Sequence, residues 1–177
     1  NNLIDLTALP TFPVSPGDIP AGNCVIIDPS NDKVNSDAVS LGYFEIHEAK
    51  MVMMEHKEDR FSPLDTIHEA LKLCVKHNCN LVIIEATAYQ ASLGFWFNWV
   101  CKQMQIEGIQ AVEIYPGGQS KHTRIVNMLK SYAKGEFYIH PDSKSAVHLQ
   151  ITSYNPLKRD NVDGLLDLLC YSTPAME

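Results

Sequence analysis

Short runs of consecutive apolar residues alternate along the chain with segments in which apolar residues recur every three or four positions. The first pattern is typical of buried strands, and the second is typical of helices that bury one side. Strands are predicted at 23–28, 38–46, 50–55, 80–85, 110–115 and 136–139. Helices are predicted at 63–76, 93–106, 121–134, 144–153 and 161–171.

The order of these elements predicts an α/β fold. The first three strands are joined by short turns, which favours an antiparallel three-strand meander. The later strands alternate with helices, and such crossovers join parallel strands. We therefore expect a mixed central β-sheet flanked by helices, in one domain over residues 23–177. Residues 1–22 hold four prolines and two glycines, a composition that predicts a linker or wrapping arm.

Composition narrows the classes of function. The 177 residues are 45% hydrophobic, which is sufficient for a buried core, and the five cysteines stand mostly in apolar runs, which favours reduced thiols. No apolar run reaches the roughly 18 residues that span a bilayer, so no membrane contact is expected. The formal net charge of −7 counts against a broad basic surface, so any DNA contact must come from a local basic patch.

Acidic residues stand where three predicted elements begin or end. Asp28 closes the first strand and Glu85 the fourth, and a carboxylate directly after a buried strand is costly to bury alone. If those strands are parallel neighbours, both side chains emerge at one edge of the sheet. Asp160 and Asp163 are three residues apart and would share one face of the last helix. Asp167 is expected about 10 Å from Asp160, at an outer contact.

Such a set of carboxylates is suited to divalent metal ions. Hard cations bind carboxylate oxygens, and two ions about 4 Å apart promote phosphodiester hydrolysis by activating water and stabilising the leaving oxygen. We therefore predict a phosphodiester hydrolase that uses two Mg²⁺ or Mn²⁺ ions. The predicted metal ligands and catalytic residues are Asp28, Glu85, Asp160 and Asp163. Taken singly, each has an ordinary alternative, such as a turn residue before Pro29 or a solvated helix start.

The densest basic stretch follows a Pro-Gly-Gly loop. Lys121 and Arg124 are expected to hold the DNA backbone, with Lys121 near the scissile phosphate. Lys158 and Arg159 are further candidates for DNA contact, the alternative being that they balance nearby carboxylates. Four aromatic residues lie within 95–99. We expect them to pack in the core, and contact with a partner domain is the alternative.

Five segments, in this order, resemble motifs of the C-terminal nuclease domain of the large terminase subunit of tailed double-stranded DNA bacteriophages. They are Val-Ile-Ile-Asp-Pro-Ser (25–30), Val-Ile-Ile-Glu-Ala (82–86), Ser-Lys-His-Thr-Arg-Ile (120–125), Gly-Glu-Phe-Tyr-Ile (135–139) and Asp-Asn-Val-Asp-Gly-Leu (160–165). The chain departs from the family at the last motif, where Arg159 replaces the first of two aspartates and Gly164 replaces the more usual Ala.

The resemblance implies an RNase H-like fold and a metal-dependent endodeoxyribonuclease that cuts concatemeric viral DNA during genome packaging. It also implies that Asp28, Glu85 and Asp160 or Asp163 bind the metal ions. No Gly-x-x-x-x-Gly-Lys-Ser/Thr phosphate loop occurs in the sequence, so the family's ATPase half is expected to be a separate domain that precedes residues 1–22.

Further expectations follow from the same resemblance. The expected partners are double-stranded DNA, the ATPase domain of the same full-length chain, the small terminase subunit and the portal protein, in the cytoplasm of the infected bacterial host. Two alternatives remain. One is a Holliday-junction-resolvase-like or transposase-like nuclease of the RNase H fold, and the other is a non-catalytic packaging scaffold.

Overall fold

Six strands and five helices make up the part of the chain that the computed structural model describes, which is residues 3–29, 38–86, 93–115, 118–158 and 161–176. The strands are β1 Gly22–Asp28, β2 Val39–His47, β3 Lys50–Asp59, β4 Leu81–Glu85, β5 Gln110–Ile114 and β6 Phe137–Ile139. The helices are α1 Pro63–His77, α2 Leu93–Gln103, α3 Lys121–Ala133, α4 Pro141–Ser153 and α5 Gly164–Met176. Within these segments, no helix combines the length and apolar character needed to cross a membrane.

The strands form one mixed sheet in the order β5-β4-β1-β2-β3-β6. β1, β2 and β3 pair antiparallel. β4 runs parallel to β1, β5 parallel to β4, and β6 parallel to β3. The predicted mixed sheet, with its antiparallel meander, parallel strands and flanking helices, is confirmed.

Turn and cap residues set several of the element boundaries. Glu48 and Ala49 join β2 to β3 and have φ of 50° and 62°. Positive φ at both positions gives a two-residue hairpin turn the same twist as the strands that it joins. Ser62 caps α1, its Oγ accepting a hydrogen bond from the Asp65 N–H at 3.1 Å. Gly135 follows α3 with φ of 72°, in the left-handed conformation that glycine adopts readily after a helix.

Two helices start at other residues than predicted. α4 begins at Pro141 rather than at Lys144, because Pro suits the first helical position and the His140 Nδ1 accepts from the Asp142 N–H at 3.0 Å. The start of α5 is delayed from 161 to Gly164.

The side chain of Asn161 accounts for the late start of α5. Its Oδ1 accepts from the Asn155 N–H at 2.8 Å, and its Nδ2 donates to the Asn155 carbonyl at 2.7 Å. Such side-chain bonds offer the backbone an alternative to the helix. Asp163 therefore precedes the helix, and the prediction of a helical face shared by Asp160 and Asp163 is wrong. Asp160 itself lies outside the described residues.

Each face of the sheet has its own apolar core. α1 and α2 cover one face, and α3, α4 and α5 cover the other. Ile26 and Ile83 belong to the core on the α5 side, so the two-residue period of strands directs Asp28 and Glu85 to that side as well. The five cysteines carry free thiols, and four of them are buried.

The aromatic residues of α2 are divided between the core and the surface. Phe97 is fully buried against the sheet, whereas Phe95, Trp96 and Trp99 are 64%, 48% and 46% exposed. The prediction of core packing is wrong for these three, because they lie on the side of α2 that faces away from the sheet. Their rings contact one another edge to face, with centroids 5.3 and 5.7 Å apart.

The segment before β1 lies along the domain. Ile4, Leu6 and Leu9 are partly buried against the core of α3, α4 and α5. The ring of Phe12 meets that of His140 edge-on, with centroids 5.3 Å apart. The connection of this segment to an ATPase domain stays a prediction.

Candidate active site

Four polar residues line up across four neighbouring strands where β1 and β4 end. Asp28 pairs with Ser40 across β1 and β2, and Ser40 pairs with Glu58 across β2 and β3. The parallel register of β1 and β4 places Glu85 beside Asp28. Residues in register share a face of the sheet, so the row reads Glu85, Asp28, Ser40, Glu58. The two predicted strand-end carboxylates are thus neighbours.

The start of α5 adds two aspartates to this row. Asp163 immediately precedes the helix, and Asp167 lies one turn later on the same face. The Lys121 Nζ is 3.0 and 3.1 Å from the two carboxylate oxygens of Asp163 and 3.2 Å from Oδ2 of Asp167. The expectation that Asp167 makes an outer contact is therefore wrong. We call Asp28, Glu85, Asp163 and Asp167 the carboxylate cluster.

The carboxylate cluster holds more negative than positive charge. Burial raises the pKa of Asp28 well above its usual range, and the hydrogen bond shared with Glu85 and the charge of Asp167 act in the same direction. Burial also raises the pKa of Asp167 to about 6, although Lys121 opposes the shift. Burial disfavours the charged Lys121, but Asp167 and Asp163 outweigh this effect, so the pKa of Lys121 is raised.

A hydrogen-bonded chain fixes Glu85 from the side of α3. The Tyr171 hydroxyl donates to Glu85 Oε1 at 2.7 Å and accepts from the Arg124 Nη1 at 2.9 Å. Glu85 is only 7% exposed, so this bond restricts its orientation. The Arg124 Nε is buried and has no hydrogen-bond partner among the described residues. Arg124, predicted to contact DNA, therefore has a contact with Tyr171 inside the protein.

Sequence reasoning places Asp167 wrongly and does not find Tyr171. The signal that could have found them is their spacing, because Asp163, Asp167 and Tyr171 follow one another at intervals of four residues and fall on one helix face. Of the other predicted site residues, Lys158 is exposed on the surface. Arg159 and Asp160 lie outside the described residues, and their roles stay predictions.

The donor set suits a hard divalent cation, although it is not a closed metal site. Within the described segments, which exclude Asp160, no group of three or more Asp, Glu, His or Cys side chains is spaced to hold one ion. The Lys121 ammonium lies instead between Asp163 and Asp167. The buried carboxylates of the cluster nevertheless outnumber the cations that pair with them. Carboxylate oxygens are the ligands that Mg²⁺ and Mn²⁺ prefer.

Solved structures from three viruses share this fold. The large terminase of a thermophilic bacteriophage matches with a TM-score of 0.66 and 16% identity over 96% of this chain. The manganese-soaked, inhibitor-bound terminase nuclease domain of human cytomegalovirus matches with a TM-score of 0.62 and 12% identity, over 89% of this chain and 84% of that one. The fowlpox virus Holliday junction resolvase matches with a TM-score of 0.54 and 12% identity, over 87% of this chain and 96% of that one.

The matched proteins differ in how much of their own length this chain covers. The chain spans 43% of the large terminase from the thermophilic bacteriophage. No family model matches the sequence, and no curated protein matches it. At such low identities a structural match establishes the fold alone. The resemblance seen in the sequence is confirmed at that level: the chain has the RNase H-like fold of terminase nuclease domains.

Proposed function

We propose that this chain is a Mg²⁺- or Mn²⁺-dependent endodeoxyribonuclease domain that cuts concatemeric viral DNA during genome packaging. The observation that carries the proposal is the carboxylate cluster, which lies at the ends of two parallel neighbouring strands in a fold shared with terminase nuclease domains. Ligands of open α/β sheets bind at this edge.

The metal ligands are proposed from the carboxylate cluster. Asp28, Glu85 and Asp163 would hold the ions, with Asp160 as the further candidate predicted from sequence and Asp167 as the one found in the structure. When bound, a pair of ions supplies an activated water molecule and neutralises the leaving oxygen. The manganese soak of the cytomegalovirus terminase nuclease domain supports a divalent ion here.

Lys121 is proposed to bind the scissile phosphate. Its ammonium lies within 3.2 Å of Asp163 and Asp167, so it is already at the cluster, and its side chain is half-exposed and open to a ligand from outside. A cation at this position attracts the phosphate group and offsets the charge that develops on it. Tyr171 keeps Glu85 in one orientation, because the Tyr171 hydroxyl donates to Glu85 Oε1.

The remaining basic residues are proposed to hold the DNA backbone. Arg124, Lys158 and Arg159 would contact phosphates without reading bases, so little sequence specificity is expected. The large terminase of the thermophilic bacteriophage, which was also solved with ATP-gamma-S, is more than twice as long as the matched region. This supports an ATPase domain of the same protein as a partner. We also propose that the small terminase subunit and the portal protein are partners, and that the domain acts in the cytoplasm of the infected host.

The proposal is tested by cutting of supercoiled plasmid DNA in Mn²⁺. The wild-type chain is expected to nick and linearise the plasmid. Asp28→Asn should cut more than about 100-fold more slowly, since even residues that only orient metal ligands are typically worth 10- to 100-fold. Asp65→Asn makes the same chemical change on the exposed first turn of α1 and should leave cutting unchanged. Equal cutting by Asp28→Asn and wild type would contradict the metal-site assignment.

A resolvase-like nuclease is the second candidate, because the fowlpox resolvase shares the fold over 96% of its length. The two candidates differ in the DNA they prefer. A terminase-like domain should cut a linear duplex at least as fast as a four-way junction of the same length, whereas a resolvase-like enzyme should prefer the junction. Absence of both cutting and Mn²⁺ binding would favour the packaging scaffold.

A further inference from the structure

Beyond Asp28, the polar row continues into a hydrogen-bonded group that the proposed chemistry does not use. The Ser40 Oγ donates to Glu58 Oε2 at 2.5 Å. The Gln150 Nε2 donates to Glu58 Oε1 at 2.9 Å and lies 3.2 Å from Oε2. Ser40 is fully buried and Gln150 nearly so. Both oxygens of Glu58 are thus engaged inside the protein, which sets Glu58 apart from the carboxylate cluster.

The other end of Gln150 reaches the first turn of α5. Its Oε1 accepts a hydrogen bond from the buried Leu165 N–H at 2.9 Å. The first amides of a helix have no partner within it and are commonly capped by the residue that precedes the helix. Here Asp163 directs both carboxylate oxygens to Lys121. Gln150, from α4, provides the side-chain acceptor for this turn, and Asp163 stays available to the cluster.

Gly164 brings the same turn unusually close to the sheet. A Cβ at this position would overlap the Ser40 Oγ and would stand 3.0 Å from Glu58 Oε2. Only glycine allows this approach without displacing the helix or the two side chains. Gly164 is therefore part of a close contact, and replacing it would cost more than its helix propensity suggests.

We infer that Ser40, Glu58 and Gln150, which we call the α5 anchor, set the position of the first turn of α5 and thereby place Asp163 and Asp167 opposite Asp28 and Glu85. The inference rests on the proposed function, because it assigns these residues as positioning residues for the metal ligands. The anchor contacts the turn at Gly164 and Leu165, which lie between Asp163 and Asp167 in the sequence. Farther along the helix, Leu168 and Leu169 are buried in the core, so loss of the anchor should displace the first turn without unfolding α5.

Two variants test the anchor from opposite directions. Gln150→Met keeps a side chain of similar length but removes the bonds to both Glu58 and Leu165. Gly164→Ala keeps those residues and forces the turn away from Ser40. Thr66→Ala is the matched control, because Thr66 is equally buried in the first turn of α1, on the other face of the sheet, and its Oγ1 donates to the Ser62 carbonyl at 2.8 Å.

Mn²⁺ affinity by isothermal titration calorimetry is the main readout, with the unfolding temperature of each metal-free protein measured in parallel. Gln150→Met and Gly164→Ala should bind Mn²⁺ about 10- to 100-fold more weakly than wild type, as is usual when ligand-orienting residues are lost. Thr66→Ala should bind as wild type does, even where its unfolding temperature falls equally. Plasmid cutting by the two anchor variants should recover at saturating Mn²⁺, because every carboxylate is intact.

The outcomes separate the inference from the proposed function. If wild type binds Mn²⁺ and cuts DNA while folded Gln150→Met and Gly164→Ala bind it with unchanged affinity, the anchor has no positioning role. If neither wild type nor Asp28→Asn binds Mn²⁺, the metal site fails and the inference fails with it. Should Gln150→Met not fold, Ser40→Ala removes one bond of the anchor, and unchanged affinity in that variant would equally overturn the inference.

Discussion

Polar side chains gather toward both ends of β1, on opposite faces of the sheet, and the two groups differ in their balance of charge. The group toward the start of β1, on the α1 side, is the paired network of Asn23, Tyr43, Glu45, His47, Glu55, Lys76 and His77. In it, both oxygens of Glu55 lie 3.0 Å from the Lys76 Nζ, and the His77 Nε2 lies 2.7 Å from Oε2. Burial raises the pKa of Glu55, but these partners outweigh burial and the pKa is lowered.

The carboxylate cluster at the other end of β1 shows the opposite behaviour. Burial and neighbouring carboxylates raise the pKa values of Asp28 and Asp167, and Lys121 only partly offsets them. Carboxylates whose charge is met inside the protein stabilise the fold, whereas carboxylates that outnumber their partners are stabilised by a cation from outside. The difference supports the proposal that metal ions and a phosphate group bind at this end of the sheet.

Of the variants that test this difference between the two ends of β1, Asp167→Asn should have the largest effect. Asp167→Asn removes a carboxylate from the cluster and a partner from Lys121, so Mn²⁺-dependent plasmid cutting should fall more than about 100-fold. Glu55→Gln makes the same kind of change in the paired network and should leave the cutting rate unchanged. A cutting rate for Asp167→Asn equal to that of wild type would exclude Asp167 from the site.

Two buried tyrosine hydroxyls, one in each group, permit a matched pair of variants with a smaller effect. Tyr171→Phe removes the bond that orients Glu85 and should lower the cutting rate about tenfold at fixed Mn²⁺. Tyr43→Phe removes the hydroxyl that donates to Glu45 Oε2 at 2.7 Å, so it should lower stability and leave cutting intact. Equal cutting rates for the two variants would show that Tyr171 does not act through Glu85.

The two strand-end carboxylates were predictable because a single local rule places them. Asp28 and Glu85 each follow an uninterrupted buried run, and the parallel pairing of β1 and β4 brings them together. The sequence places Asp167 wrongly because the apolar pattern predicts a helix that starts at 161, on which Asp167 is two turns from Asp160. The bonds between Asn161 and Asn155 delay that helix, and nothing in the apolar period reveals them.

Glu58 and Ser40 show a second limit of sequence reasoning. A β-bulge between Tyr43 and Phe44 shifts the register of β2 and β3 by one residue. Without it, Ser40 would pair with Lys57, and a slip of one residue moves each side chain to the other face. The sequence predicts the hairpin from its turn, but no residue pattern marks the bulge, so the pairing of Ser40 with Glu58 in the α5 anchor does not follow from the sequence.

Neutralising one carboxylate at each end should change stability in opposite directions. In the metal-free protein, Asp28→Asn removes a carboxyl group whose charged form is disfavoured by burial and by its neighbours, and it should raise the free energy of unfolding by about 1 kcal/mol. Glu55→Gln weakens a partly exposed ion pair and should lower it by up to about 1 kcal/mol. Thermal unfolding in EDTA measures both changes. A lower unfolding temperature for Asp28→Asn would contradict the excess of negative charge in the cluster.

The pH dependence of the free energy of unfolding should also differ between the groups at the two ends of β1. This difference is the smallest of the expected effects. The pKa of Asp167 is raised from its ordinary value of 3.8 to about 6, so between these values the folded protein binds more protons than the unfolded chain, and the free energy of unfolding falls as the pH rises. The pKa of Glu55 is lowered from 4.5, so its contribution is complete above that value and is lost as the pH falls further.

Unfolding temperatures of the metal-free protein between about pH 3 and pH 7 separate the two groups. Relative to wild type, Asp167→Asn should become more stable as the pH rises toward 6, the upper pKa. Glu55→Gln should instead lose its deficit in stability as the pH drops below 4.5. A difference between Asp167→Asn and wild type that stays constant across this range would mean that Asp167 does not titrate in the cluster. Added Mn²⁺ should remove the pH-dependent difference at Asp167 and leave that at Glu55 unchanged, because a bound cation favours the charged carboxylate.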